Sequence, residues 1–202
     1  MAKKSMNPMW IVLGVVLAII LFVGIFVAGS YNGFVAKDQE VERAWGNVQS
    51  AYQRRADLIP NLVDTVKGAR DFEKNTLTEI TKLRGEAVSA SQKVQSATTT
   101  SQIQETGGEI NSILSRLLVI VENYPDLKSN TNFLSLQDEL AGTENRVKFE
   151  RDNFNLAVRN YKTAVRSFPG VLIAGMFGFS AEKHSTFAAE SGAENAPDVN
   201  FN

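Results

Sequence analysis

The sequence predicts an all-α protein: an N-terminal transmembrane helix followed by a long up-and-down antiparallel four-helix bundle. Three observations carry that reading. An uninterrupted apolar run covers Trp10 to Ala28. Beyond it, apolar residues recur at the three-and-four spacing of one helical face and do not alternate as in a strand. Late in the chain Phe133, Leu140, Val147, Phe154, Tyr161 and Phe168 stand seven residues apart, the repeat of a helix packed along its whole length.

The membrane segment comes first. Residues 1–9 form a short flank carrying Lys3 and Lys4, and residues 10–28 are about 19 apolar positions. At a rise of about 1.5 Å each they match a hydrocarbon core about 30 Å thick, with Trp10 where an interfacial aromatic belongs. A cleaved signal peptide is the rival, because Ala28, Gly29 and Ser30 offer small residues at a cleavage site. The run exceeds the usual apolar core of a signal, roughly 7 to 15 residues, which favours a retained anchor. Lys3 and Lys4 on one flank, against Lys37 and Arg43 on the other, lean toward an N-terminus inside the cell and a body outside the cytoplasm.

The bundle is expected over residues 31–168. Val41, Trp45, Val48 and Tyr52 form its first apolar stripe, and Trp45 reads as a core residue in phase with its neighbours. The stripe continues through Ile59, Leu62, Val66 and Ala69, but Pro60 lies inside it. Proline cannot donate to the carbonyl of Ala56, and Asp57 offers an N-cap, so a helix corner is expected at Pro60. A single kinked helix is the rival. The second helix then carries Ile80, Leu83 and Ala87 and fades near Ser89. Ser89 to Gly108, rich in Ser, Thr, Gln and Gly, reads as a polar turn with weakly helical shoulders. Ile110, Leu114, Leu117, Val121 and Tyr124 mark a third helix that Pro125 stops, and a short loop to Thr131 leads into the heptad helix.

Two strings carry a family resemblance: R-R-A-D-L-I-P-N-L-V at Arg54 to Val63, and G-T-E-N-R at Gly142 to Arg146. The sequence resembles the LemA family of bacterial membrane-anchored helical proteins, roughly from Tyr31 to Phe179. The resemblance implies a single-pass protein of the bacterial cell (inner) membrane with no recognised catalytic set. It also implies relatives associated with membrane shape or organelle biogenesis, and with membrane metalloproteases.

Polar residues intrude on the apolar rows. Arg55, Thr143, Glu144 and Glu150 occupy positions where apolar side chains would be expected. Buried charges require partners, so Arg54 or Arg55 is expected to pair with Glu144 or Glu150 and fix helix register. Asp57 and Arg146 complete this structural polar cluster. The bland alternative is that all of these are solvated flank positions.

Residues 169–187 form an apolar segment that either caps the bundle or lies at an interface. With Phe168, the run F-P-G-V-L-I-A-G-M-F-G-F is too short to span a bilayer. Phe168, Leu172, Ile173, Met176, Phe177 and Phe179 are its candidate membrane or oligomer contacts. His184 reads as a solvated tail residue, and residues 188–202 as a disordered tail.

Composition narrows the function. The chain has 202 residues, no cysteine, one histidine and a formal net charge of -1. Thiolate chemistry and zinc-thiolate sites are excluded, and no basic field favours nucleic acid. A single histidine cannot build the Glu-x-x-His pairs of a di-iron bundle, and no glycine loop precedes a Lys-Ser or Lys-Thr pair. No catalytic, cofactor or metal site is therefore expected. The expectation is a non-enzymatic scaffold or adaptor that self-associates as a homo-oligomer or binds a membrane protease or other membrane protein. Gly14 and Gly24 lend self-association little support, because they lack the four-residue spacing of a helix-dimer motif. The alternative is an enzyme with an atypical carboxylate/arginine site around Arg55, Glu144 and Arg146.

Overall fold

The computed structural model describes residues 8–68 and 72–188. Among them are six helices: α1 (Pro8–Gly68), α2 (Lys74–Ser96), α3 (Thr100–Glu122), α4 (Pro125–Lys128), α5 (Thr131–Arg166) and α6 (Gly170–Met176). Residues 189–202 of the expected tail, residues 1–7 of the expected flank and Ala69 lie outside the described residues.

The described residues fall into two compact units, and the long helices α1 and α5 contribute to both. Residues 43–156 with 185–188 make one unit, a four-helix bundle. Cross-links along it fix the directions. Gln49 donates to the Ala97 carbonyl and Arg84 pairs with Asp64, so α2 runs antiparallel to α1. Lys93 meets Glu109, and Arg116 bridges Glu79 and Glu86, so α3 reverses α2. Arg54 meets Glu139 and the Trp45 ring meets Phe154, so α5 returns antiparallel to α1. This is the up-and-down order that short connections impose. Its core is largely aliphatic: Val48, Ile59, Leu62, Val63, Ile80, Leu83, Ile103, Ile110 and Leu117 are all buried, with Tyr52, Phe133 and Phe154 among them.

The other unit holds residues 8–42 and 157–184. Phe34, Val41, Val158, Tyr161, Val165, Ile173 and Ala174 form its core. Before that core, α1 is long and apolar enough to cross a membrane, and none of that stretch is buried among the described residues. The boundaries between the two units fall at 42/43 and 156/157. Helix α1 is unbroken through Tyr31, so no backbone signal separates the apolar run from the body.

Three expectations are corrected. No corner exists at Pro60, which lies inside α1. Interior proline costs about 3 kcal/mol, but Ala56, Ile59, Leu62, Val63 and Val66 around it are all buried. Burying one large aliphatic side chain stabilises by about 1.5–3 kcal/mol, so several together keep the helix whole.

The polar stretch Ser89 to Gly108 is helical except at residues 97–99. Its stripe is made of small residues, with Ala87, Ala90, Val94 and Ala97 buried before the turn and Thr100, Ile103, Thr106 and Gly107 after it. A capping box starts α3. The Thr99 hydroxyl accepts from the Gln102 amide, and the Gln102 side chain accepts from the Thr99 amide.

The heptad row Phe133, Leu140, Val147, Phe154 and Tyr161 is buried, but its expected sixth member, Phe168, is 81% exposed. Helix α5 ends at Arg166, because a residue preceding proline is pushed out of the helical region. At the other end of α5 the Asn130 side chain accepts from the Asn132 and Phe133 amides.

Candidate functional site

The polar residues expected to cluster do not share one groove of the bundle. Arg54, Thr143, Arg146 and Glu150 line one between α1 and α5, of about 500 Å³. Tyr52, Arg55, Asn111, Glu144 and Arg151 line another, of about 910 Å³, where α1, α3 and α5 meet.

In the second groove Arg55 is buried on α1 while its tip reaches the polar edge. Its Nη2 donates to Asn111 Oδ1 at 2.8 Å and lies 3.6 Å from Glu144 Oε2. Its Nε is buried without a hydrogen-bond partner. Glu144 is largely exposed, so the pair spans the boundary between core and water. Helices α1 and α3 approach closely beside it: a Cβ on Gly107 would lie 2.8 Å from Tyr52 Cε1, so only glycine fits against that buried ring.

In the first groove Glu150 is the buried group, and Arg146 one turn before it on α5 reaches back to Oε1 at 2.7 Å. The Thr143 hydroxyl donates to the Leu140 carbonyl, so its burial leaves no orphaned polar group. Arg54 is exposed and pairs with Glu139, not with Glu144 or Glu150. Such a pair contributes at most about 1 kcal/mol. Asp57, read as a cap, sits mid-helix and accepts from Gln53 and Ser91 instead. Arg55 and Glu144 thus meet, whereas Arg146 lies in the other groove, and the three do not converge on one point. Among the described residues no group of three His, Asp or Glu side chains is placed to hold a metal.

A second polar cluster, in the other unit, gathers Asp38, Lys183, His184 and Tyr161. Asp38 on α1 receives Lys183 Nζ at 2.5 Å and lies 2.7 Å from His184 Nε2. The His184 ring meets the buried Tyr161 ring edge-on, with centroids 5.1 Å apart. His184 is half-buried and is no solvated tail residue. Burial raises the Asp38 pKa, but hydrogen bonds and charge from Lys183 and His184 outweigh it and hold the carboxyl below the ordinary value. The hydrogen bond to Asp38 holds the Lys183 ammonium above its ordinary value, and burial raises the Tyr161 hydroxyl. The one available signal was Tyr161 itself, a polar tip in an apolar row. Nothing in the spacing pointed to Asp38.

The apolar segment is two-sided. Ile173 and Ala174 on α6 face inward, so Ile173 is core and not a free contact. Gly178, at φ 76°, turns the chain after α6 in the left-handed conformation suited to glycine, and the Phe179 amide donates to the Ala174 carbonyl. The Phe179 ring then packs on Tyr31 and Phe34, which removes most of it from the contact surface. Phe168, Leu172, Met176 and Phe177 remain exposed. In the bundle unit, Phe187 is buried between Trp45 and Phe154 with the Arg151 guanidinium over its ring, and its amide donates to Asn155.

Comparison with known proteins gives a consistent set of relatives. The family model for the LemA family matches residues 44–201. Protein LemA of Metamycoplasma hominis is 27% identical over 156 residues, covering 76% of this chain and 68% of that protein. Magnetosome protein MamQ of Magnetospirillum gryphiswaldense is 24% identical over 197 residues, covering 88% and 72%. Magnetosome protein MamQ 2 of Paramagnetospirillum magneticum is 23% identical over 203 residues, covering 91% and 73%. With the family model matching most of the chain and the helical architecture in place, the chain belongs to the LemA family.

Proposed function

We propose that this protein is a membrane-anchored, non-enzymatic helical scaffold or adaptor, whose bundle meets a second copy of itself or another membrane protein. The single observation that carries the reading is the continuity of α1. One helix of 61 residues is apolar and uncovered at one end and forms a bundle wall at the other. Such a helix ties its bundle to a bilayer and restricts encounters to two dimensions. The aliphatic core and the separation of Arg55 and Glu144 from Arg146 favour a scaffold over the alternative, an enzyme with a carboxylate/arginine site. The names of the relatives are not enzyme names, and two describe magnetosome proteins. We place the anchor in the bacterial inner membrane as a single pass, with the bundle on the non-cytoplasmic side.

Native mass spectrometry of the particle extracted in mild detergent tests this. A discrete multiple of the 22.2 kDa chain is expected for a self-assembling scaffold, and a second protein at fixed ratio, such as a membrane protease, for an adaptor. A lone monomer that turns over a small substrate would overturn the proposal.

A further inference from the structure

We propose that α6, with Phe168 before it, is a foot that lies in the membrane interface beside the point where α1 leaves the bilayer. The inference rests on the reading of residues 10–28 as membrane-spanning and adds a second, independent contact with lipid.

The face is apolar and open. Phe168 is 81% exposed, Met176 78% and Leu172 62%, with Val171 and Phe177 beside them. Leu172 and Met176 are four apart on α6, one above the other, with Phe168 just before the helix, while Ile173 and Ala174 are buried. A scattered exposed leucine is ordinary, but five exposed large apolar side chains within ten residues are not.

Its position identifies the occupant. Within this unit the chain after α5 comes nearest the apolar run at α6 and Phe177, and then turns back along α1 through Phe179 to His184. His184 beside Tyr161 meets Asp38. A Cβ on Gly170 would lie 3.0 Å from the Ala164 carbonyl and 3.2 Å from the Phe34 ring. The Phe177 ring meets Tyr31 with centroids 5.1 Å apart. Tyr31 stands three residues beyond Ala28, the last residue of the apolar run. At about 1.5 Å per residue that is about 4.5 Å along the axis, inside a headgroup layer that is about 5–8 Å thick on each side. An amphipathic segment buries its apolar face about 5–10 Å into this boundary, and Tyr31 is the amphipathic aromatic type that favours it. The foot therefore lies at the depth where lipid, and not water, begins.

Single-tryptophan proteins test this in the full-length chain, reconstituted into phosphatidylcholine–phosphatidylglycerol vesicles with brominated acyl chains. The variant W45F keeps Trp10 as the anchor reporter, and W10F/W45F/M176W places the reporter on the foot. Loss of most of the emission from both reporters on bromination, with position 176 shielded from aqueous iodide, is the expected result. Bromines near the headgroup should quench position 176 more than bromines near the bilayer centre. Quenching of Trp10 alone, with position 176 open to iodide, would overturn the foot and leave the anchor standing. Quenching of neither would overturn the anchor and the foot with it. Position 176 shielded from iodide yet insensitive to bromine would mean that protein covers it, a second copy or a partner, and would also overturn the foot. If the indole at 176 disturbs folding, L172W places the reporter one turn earlier on the same face.

Discussion

Residues 9–26 and 48–66 of α1 are both rich in valine, leucine and isoleucine, yet they meet different surroundings. In the first stretch every large apolar side chain is exposed, from Phe26 at 41% to Ile25 at 74%, whereas Val48, Ile59, Val63 and Val66 in the second are fully buried. The arrangement of the apolar residues differs more than their kind. In the first stretch they cover all sides of the helix, which no set of neighbouring helices in this chain satisfies. In the second they keep to one stripe, with Arg54, Asp57 and Asp64 on the remaining faces. A helix apolar all round requires lipid, and a striped one requires partner helices.

Substitutions that leave one side alone sharpen this contrast. The largest effect is expected in the bundle core, where Ile59→Ala should cost about 2–5 kcal/mol in denaturant unfolding followed in detergent. Ile19→Ala should leave that transition in place, and an equal loss would break the comparison. Leu17→Lys acts the other way. It should raise the cost of insertion by about 2.5–3.5 kcal/mol and move protein from the membrane to the soluble fraction, with the circular dichroism of the bundle unchanged.

Pro60→Ala restores a donor to the Ala56 carbonyl. It should raise the unfolding free energy by up to about 3 kcal/mol, less the roughly 0.4–1 kcal/mol by which proline restrains the unfolded chain. A loss of stability would mean that the helix needs its proline. Gly107→Ala pushes a methyl against the buried Tyr52 ring and should cost about 1–3 kcal/mol in the same assay.

The smallest effect belongs to the cluster of Asp38, Lys183, His184 and Tyr161, with Glu42 adding to the field at Lys183. The Asp38 pKa is lowered by folding, so its contribution is present above its ordinary value of 3.8 and is lost as pH falls through the folded value. The Tyr161 and Lys183 values are raised, so theirs are present below the ordinary 10.0 and 10.5 and are lost as pH rises through the folded values. The protection of the amides of residues 180–184, taken relative to their intrinsic exchange at each pH, should therefore be greatest between these limits and fall on both sides. Asp38→Asn should remove the acid limb and the Lys183 part of the alkaline limb, which Asp38 itself creates, and leave the part that burial of Tyr161 supplies.

Strong local patterns were legible in the sequence. The apolar run, the seven-residue row from Phe133 to Tyr161 and the stop at Pro125 each concentrate their signal within a few turns. The sites where reading failed share a cause. At Pro60 a local cost opposed burial that only the assembled bundle supplies. Between Ala87 and Gly107 the stripe is built of small residues whose value lies in close approach, so hydropathy alone made it resemble a turn. Arg55 and Glu144 were singled out as charges needing partners, but the same logic offered Glu150, and only the packing of α5 assigned Glu150 to Arg146.

The sequence by itself determined that the chain is helical, where its membrane-grade stretch lies and which residues form the stripes, because periodicity is a property of neighbours along the chain. Only the tertiary structure decided that α1 is one helix through Pro60, that Asp38 meets His184 across 146 positions, and that α6 turns Ile173 inward and Met176 outward. Contacts between distant residues depend on where helices end and how closely they approach, and those quantities follow from burial summed over the whole fold.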